Sequence, residues 1–186
     1  MSDASDKIRL LVLFGGQSAE HDVSCTTAAH VLAAADPNRY DIEAIGITTD
    51  GAFVHAGDAA ALLPATTDGE LEPLKPSGRS AELMASVAET DGPVVVLPLL
   101  HGPLGEDGTV QGLCELANVA FVGAGVLGSA LTMDKVMAKT VLDAHNIPQT
   151  RWIGLQESSI ETLADKTKQA AAELGFPCFV KPANMG

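Results

Sequence analysis

Short apolar runs alternate with helical segments along this chain, and this alternation restricts the possible folds more than any other feature of the sequence. Four of the runs predict strands: Ile8–Phe14, Tyr40–Thr48, Val94–Leu100 and Ala120–Val122. Helices are predicted at Val23–Ala35 and Thr109–Ala117, and the turn Asp50-Gly51 before Phe53–His55 indicates a hairpin. Together these elements predict an α/β fold, a mostly parallel sheet flanked by helices.

A second set of strand and helix signals follows Gly128. In chain order they are a helix over Met133–His145 capped by Thr132, a strand over Arg151–Leu155, a helix that runs from a Ser158-x-x-Glu161 capping box to Gly175, and a strand over Phe176–Lys181. We therefore expect two domains, residues 1–128 and residues 129–186, and we expect the second to be incomplete. The stretch 56–92 is predicted to be irregular, with one helix near Ser80–Glu89.

Charge and cysteine content restrict the partners and the compartment. The 186 residues include 24 Asp and Glu against 11 Lys and Arg, a formal net charge of −13. Such a chain cannot easily form the basic face that nucleic acids or anionic membranes require, so we expect neither as a partner. Its acidic start lacks the basic region of an export signal. Since Cys25, Cys114 and Cys178 form no C-x-x-C pair, we expect reduced thiols and a cytoplasmic location.

The segment LLVLFGGQSAEHDVS, residues 10–24, combines a strand, two glycines and a helix start. Backbone N–H groups converge at such a turn and attract anions, but the pattern is neither a G-x-G-x-x-G motif nor a Walker A loop. A tight turn alone would explain the glycines. It would not explain Glu20, His21 and Asp22 at the carboxyl end of a strand, where open α/β sheets bind ligands. A carboxylate there suits a substrate ammonium better than a phosphate.

The segment PLLHGPLGEDGTVQG, residues 98–112, again places polar residues after an apolar strand. His101 could stabilise a developing oxyanion or orient a carboxylate. It could equally be a structural histidine beside a helix that Asp107 caps. No HExxH motif or histidine pair accompanies it, so no metal site is predicted in this chain.

Two lysines of the second domain lie next to predicted element boundaries. Lys135 is in the first turn of its helix, where a cation opposes the helix dipole, and Lys181 follows an apolar strand. They are either solvated surface lysines or groups that neutralise nucleotide phosphates.

Together these motifs resemble the D-alanine–D-alanine ligases of the ATP-grasp superfamily. The strings that carry the resemblance follow the family's order along nearly the whole chain: LFGGQSAEHDVS, IGIT-x-DG, LHGPLGEDGTVQG, GSALTMDKVMAKTVLDAHNIP and FPCFVKPANMG. The resemblance implies a Rossmann-like, mostly parallel sheet flanked by helices (the pre-ATP-grasp domain), followed by the truncated start of an ATP-grasp domain. It also implies a homodimer.

The family joins two D-alanines with ATP and Mg²⁺ through an acyl phosphate, for peptidoglycan precursor synthesis. By position, the resemblance implies that Glu20 holds the ammonium of the first D-alanine, with Val23 packing nearby. His101 would lie beside this substrate and the acyl phosphate, and Lys135 and Lys181 would hold ATP phosphates. The family's Mg²⁺ ligands come later in the chain than any residue present here, so we expect this chain alone to be inactive.

Two alternatives stay open. A relative that takes D-lactate or D-serine as its second substrate would differ mostly outside these residues. A non-catalytic α/β ligand-binding module would keep the fold, but it has no need for both Glu20 and His101 at the ends of neighbouring strands.

Overall fold

The structure is a computed structural model of the 186-residue chain, and it describes residues 7–56, 75, 92–155 and 160–185. The chain divides into two compact units, Met1–Ala130 and Leu131–Met185. The domain boundaries expected from the sequence, 1–128 and 129–186, remain predictions. The helix predicted near Ser80–Glu89 and the start of the Ser158 capping box lie outside the described residues.

Among the described residues of the first unit, five strands form the sheet: β1 (Ile8–Gly15), β2 (Tyr40–Ile47), β3 (Phe53–His55), β4 (Val94–Pro98) and β5 (Ala120–Phe121). Their spatial order is β3-β2-β1-β4-β5. β1 pairs in parallel with β2 and with β4, and β4 pairs in parallel with β5. β3 returns antiparallel to β2. The predicted α/β fold with a mostly parallel sheet is confirmed.

Five helices are described: α1 (His21–Ala34), α2 (Thr109–Leu116), α3 (Val126–Met133), α4 (Lys135–Ala144) and α5 (Ile160–Leu174). α1 begins two residues earlier than predicted. No sequence pattern indicated α3 as a separate helix. Among the described residues, no helix is both long enough and apolar enough to cross a lipid bilayer.

β1 is the central strand because both of its faces are apolar. Leu10, Val12 and Phe14 belong to one core cluster together with apolar side chains of α1, whereas Leu11 and Leu13 belong to a second cluster with side chains of α2. A strand covered on both faces needs an unbroken apolar run rather than an alternating one. Burial of each such leucine contributes about 1.5–3 kcal/mol to the stability of the folded state. The apolar side chains of β1 therefore stabilise the sheet of the first unit on both of its faces.

The start of α4 corrects one prediction. Asp134, not Thr132, caps this helix, because its carboxylate accepts hydrogen bonds from the N–H groups of Val136 and Met137, at 2.9 Å each. Thr132 lies inside α3. The sequence pattern merged two short helices, and the cap lies between them.

The predicted strands Arg151–Leu155 and Phe176–Lys181 are also wrong, since neither segment is a strand in the structure. A strand requires a neighbour for its backbone N–H and C=O groups. Within the described part of the chain, neither segment pairs with another strand. In the second segment, Phe179 and Val180 are 84% and 83% exposed, so the apolar pattern that suggested a buried strand is not buried here.

Candidate functional site

The turn at the end of β1 favours glycine at two positions. Gly15 and Gly16 have φ values of +86° and +98°, in the left-handed region. A Cβ on Gly15 would lie 2.3 Å from the carbonyl oxygen of Ile47 and 3.1 Å from Cε1 of His21. His21 closes the turn, because its Nδ1 donates to the carbonyl oxygen of Gly16 at 2.6 Å. The turn therefore carries the chain directly from the end of β1 into α1.

Glu20 lies just before α1 and reaches the loop that follows β4. A Cβ on Gly102 would lie 3.3 Å from Oε2 of Glu20 and 3.4 Å from Cβ of Ser18. Because β1 and β4 are neighbouring parallel strands, their carboxyl ends bring these two loops to one edge of the sheet. The exposed carboxylate of Glu20 thus lies beside the residue that follows His101.

His101 is half-buried and lies against α1. Its Nε2 is 3.4 Å from Oγ1 of Thr27, whose hydroxyl donates to the carbonyl oxygen of Val23 at 2.9 Å. Since the Thr27 proton is already used, the imidazole Nε2–H is the donor in this contact. No described residue forms a hydrogen bond with Nδ1, so that edge of the ring is open to another partner.

Val23 is 52% exposed on α1, one turn beyond Glu20. Residues three or four apart share a face of a helix, so Val23 and Thr27 continue the line that starts at Glu20. This line leads from a carboxylate, over an apolar side chain, to the threonine that contacts His101. The structure therefore brings the three predicted substrate residues to one surface of the first unit.

The two acids of the loop after β4 shape the loop itself. Oε2 of Glu106 accepts from the N–H of Gly102 at 2.7 Å, and Asp107 accepts from the N–H groups of Leu104 and Thr109 at 2.9 and 3.0 Å. Partial burial favours the protonated form of Asp107. These N–H groups and the Thr109 hydroxyl outweigh it and hold the pKa of the carboxyl below its usual range.

The two predicted phosphate lysines lie on segments that meet within the second unit. Lys135 is the first residue of α4, and its backbone N–H donates to the carbonyl oxygen of Ala183 at 2.7 Å. Ala183 is two residues after Lys181, whose side chain is exposed. The first turn of α4 thus contacts the stretch that carries the second lysine.

The described residues contain no group of three or more His, Cys, Asp or Glu side chains that could hold a metal ion. They therefore do not fit the Mg²⁺ site that the resemblance implies for the whole enzyme.

Cys25 and Cys114 are buried, and burial raises the pKa of both thiols. Neither thiol has the lowered pKa of an activated nucleophile.

Sequence reasoning gave no role to Ser24 or Thr27, although both contact the segments that carry the predicted site residues. Ser24 is fully buried, and its hydroxyl bridges the backbone of Gly15 and Leu99. The only signal for Ser24 in the sequence was a hydroxyl within an alanine-rich helix. A serine exposed to solvent would fit the same pattern. Either contact can be identified only from the way α1 packs against the loop after β4.

Comparisons with known proteins agree on one family. Residues 9–124 match the family model described as "D-ala D-ala ligase N-terminus". The D-alanine–D-alanine ligase of Deinococcus radiodurans is 45% identical over 180 residues, which cover 97% of this chain and 51% of that protein. The D-alanine–D-alanine ligase of Kineococcus radiotolerans is 42% identical over 200 residues, covering 97% and 52%. The chain thus spans about half the length of these relatives.

Solved structures give the same result. The D-alanine–D-alanine ligase of Coxiella burnetii matches with a TM-score of 0.73 and 30% identity, over 97% of this chain and 54% of that one. The VanG D-Ala:D-Ser ligase of Enterococcus faecalis matches with a TM-score of 0.66 and 31% identity, over 97% and 53%. The carboxylate and imidazole described above thus lie on a sheet common to these enzymes. The chain therefore belongs to the D-alanine–D-alanine ligase family, through that family's amino-terminal domain.

Proposed function

We propose that this chain is the part of an ATP-dependent D-alanine–D-alanine ligase that holds the first D-alanine. The observation that carries the proposal is the position of the Glu20 carboxylate, 3.3 Å from where a Cβ on Gly102, the residue after His101, would lie. A carboxylate and an imidazole on adjacent loops complement the two charged groups of a free amino acid. A binding module for an uncharged ligand would not need this pair.

Each side chain of this surface has a definite role in the proposal. Glu20 pairs with the substrate ammonium, and Val23 contacts the methyl group or Cα of the substrate. With Nε2–H bonded to Thr27, the doubly protonated ring of His101 donates from Nδ1 toward the substrate carboxylate, where negative charge grows as an acyl phosphate forms. Its ring orientation is supported by the Nε2 contact with Thr27.

The second unit would contribute to binding of ATP. Lys135 and Lys181 would pair with phosphate oxygens, which suits two cations on touching segments of an acidic chain. Ligands for Mg²⁺ would come from the part of the ligases that this chain does not span, which is about half of the relatives' length. We therefore expect no ADP formation by this chain alone. The whole enzyme would act in the cytoplasm, as a homodimer, in peptidoglycan precursor synthesis.

The first test measures binding of D-alanine to the purified chain. Titration followed by ¹H–¹⁵N NMR should perturb signals around Glu20 and His101 with D-alanine and much less with L-alanine. Glu20→Gln should weaken binding about tenfold or more, because a charge-assisted hydrogen bond is lost. Asp22→Asn removes the same charge two residues away, on an exposed side chain of α1, and should leave the affinity within about twofold.

The second test supplies the half of the ligases that this chain does not span. Residues 1–186 are joined to the carboxyl-terminal half of the Deinococcus radiodurans ligase, the relative with 45% identity. This chimaera should form D-alanyl-D-alanine with one ADP per dipeptide, whereas the unfused chain should form none. Two results together would favour the non-catalytic ligand-binding module. The folded chimaera would bind ATP but produce no dipeptide, and the unfused chain would not bind D-alanine.

The second substrate is a separate question. The likeness to the VanG D-Ala:D-Ser ligase, at 31% identity, makes D-serine a second candidate for that position. The complete protein, supplied with D-alanine and either D-serine or D-lactate, would distinguish these products by mass spectrometry.

A further inference from the structure

One buried hydroxyl links the ends of β1 and β4. Ser24 has no exposed surface, and its Oγ accepts from the backbone N–H of Gly15 at 2.8 Å. The same hydroxyl donates to the carbonyl oxygen of Leu99 at 2.6 Å. The β1–β4 register ends at Leu13 and Pro98, so Ser24 connects the two strands just where their own pairing stops.

Ser24 is also connected to both predicted site residues, His101 and Glu20. Leu99 is two residues before His101. On the other side, the backbone N–H of Ser24 donates to the carbonyl oxygen of Glu20 at 3.0 Å. Through three hydrogen bonds, one residue therefore contacts the end of β1, the backbone of Glu20 and the segment that leads to His101.

Loss of the hydroxyl would leave polar groups without partners in the interior. The N–H of Gly15 and the carbonyl group of Leu99 would each lose the bond that Ser24 makes with them. A buried group left unpaired is unfavourable, and the backbone moves or admits water to compensate. Such a movement would change the separation of the two loops rather than the sheet below them.

We infer that Ser24 is a positioning residue, which sets the placement of His101 relative to Glu20 through its bonds to Gly15 and Leu99. The inference deepens the proposed function and depends on it for its effect on D-alanine. Its structural part, the linkage between the two loops, can be tested without any ligand.

The test compares Ser24→Ala with Cys25→Ala in the full chain. Cys25 is the next residue of α1 and is also buried, but it belongs to the apolar core cluster. Both variants should lower the thermal unfolding midpoint. In Ser24→Ala alone, the amide of Gly15 should exchange faster with solvent, and the NMR signals of the His101 ring and the Glu20 amide should shift. D-alanine affinity, measured well below both midpoints, should fall about tenfold in Ser24→Ala and less than about twofold in Cys25→Ala.

The outcomes separate the two proposals. Unchanged His101 and Glu20 signals in a folded Ser24→Ala variant would overturn the positioning role, and so would unchanged affinity. If the parental chain binds no D-alanine, the proposed function fails, while the exchange rate of Gly15 and the signals of His101 still decide the role of Ser24. If Ser24→Ala does not fold, Ser24→Cys, which keeps a weaker donor and acceptor, is measured in its place by the same signals.

Discussion

The backbone N–H of Lys135 lies 2.7 Å from the carbonyl oxygen of Ala183, which ties the first residue of α4 to the stretch just after Lys181. Two lysines that are far apart in the sequence thereby belong to touching segments of the second unit. The chain has only 11 basic residues against 24 acidic ones. Six of these 11 lie in the second unit: the two lysines together with Lys139, Arg151, Lys166 and Lys168.

We expect Lys135→Ala and Lys181→Ala each to raise the KM for ATP of the chimaera by about tenfold, because each change removes a charged partner of a phosphate oxygen. Lys168→Ala is the matched control, since this lysine is 80% exposed on α5 and pairs only at 3.6 Å with Asp165. Steady-state kinetics at saturating D-alanine measure the effect. An equal KM for ATP in all three variants would count against the phosphate role.

Gly15→Ala should destabilise the first unit strongly. The new Cβ would lie 2.3 Å from the carbonyl oxygen of Ile47, a backbone atom that cannot move without the sheet. Gly51→Ala is the control, because its φ of +90° is similar but its nearest neighbour is the flexible side chain of Gln17, at 2.9 Å. The control should cost about 1–2 kcal/mol from the left-handed backbone alone. Urea unfolding that gives equal losses for both variants would contradict the close approach at Gly15.

Acid should weaken the fold through Asp107. Its folded pKa lies below the unfolded value, so the ionised carboxylate stabilises the folded state. This contribution is fully present above the unfolded pKa of about 3.9 and is lost as the pH falls through the folded pKa. We expect the free energy of unfolding to fall over this range, and Asp107→Asn to make the fall shallower.

Urea unfolding at a series of pH values measures the contribution of Asp107. Asp41→Asn, at an exposed position of β2, should keep the steeper fall of the parental chain. Asp50, whose pKa the Thr48 hydroxyl and a backbone N–H lower, is unchanged in both variants and contributes equally to each. Identical slopes for Asp107→Asn and the parental chain would argue against the hydrogen bonds at Asp107.

Asp134→Ala should loosen α4. It removes the acceptor for two backbone N–H groups, each at 2.9 Å, and loss of such a cap costs about 0.5–2 kcal/mol. Asp134→Asn retains an acceptor and should recover most of the loss. Asp165→Ala removes only an exposed ion pair of α5 and should have little effect. Thermal unfolding followed by circular dichroism distinguishes the three variants.

The sequence was sufficient to predict the sheet of the first unit, with α1 and α2, because its signals are local. The apolar run of β1, the glycine turn and the polar residues after β4 each indicate their own structure, and parallel pairing then brings the strand ends to one edge. The contacts of Ser24 with Leu99 and of Thr27 with His101 were not predictable, because they join residues about 75 positions apart in the chain. They depend on how α1 is rotated, which no local pattern specifies.

The second unit was harder to predict for the opposite reason. Phe176–Lys181 has the composition of a strand, but pairing with a neighbour, rather than composition, makes a strand. Likewise, Thr132 and Asp134 are both good caps by residue type. The choice between them depended on the end of α3, and no residue there is a clear stop signal for a helix.

Neighbouring strands of a sheet lie about 4.8 Å apart, and Glu20 and His101 follow two neighbouring strands, β1 and β4. Under the proposed function, the spacing of β1 and β4 limits the distance between the ammonium and the carboxylate of the substrate. In an α-amino acid a single carbon carries both the ammonium and the carboxylate, whereas in β-alanine two carbons separate them. Discrimination between the two would then originate in the backbone spacing, and changes in loop side chains would alter the preference for the substrate's side chain without changing the length that is accepted.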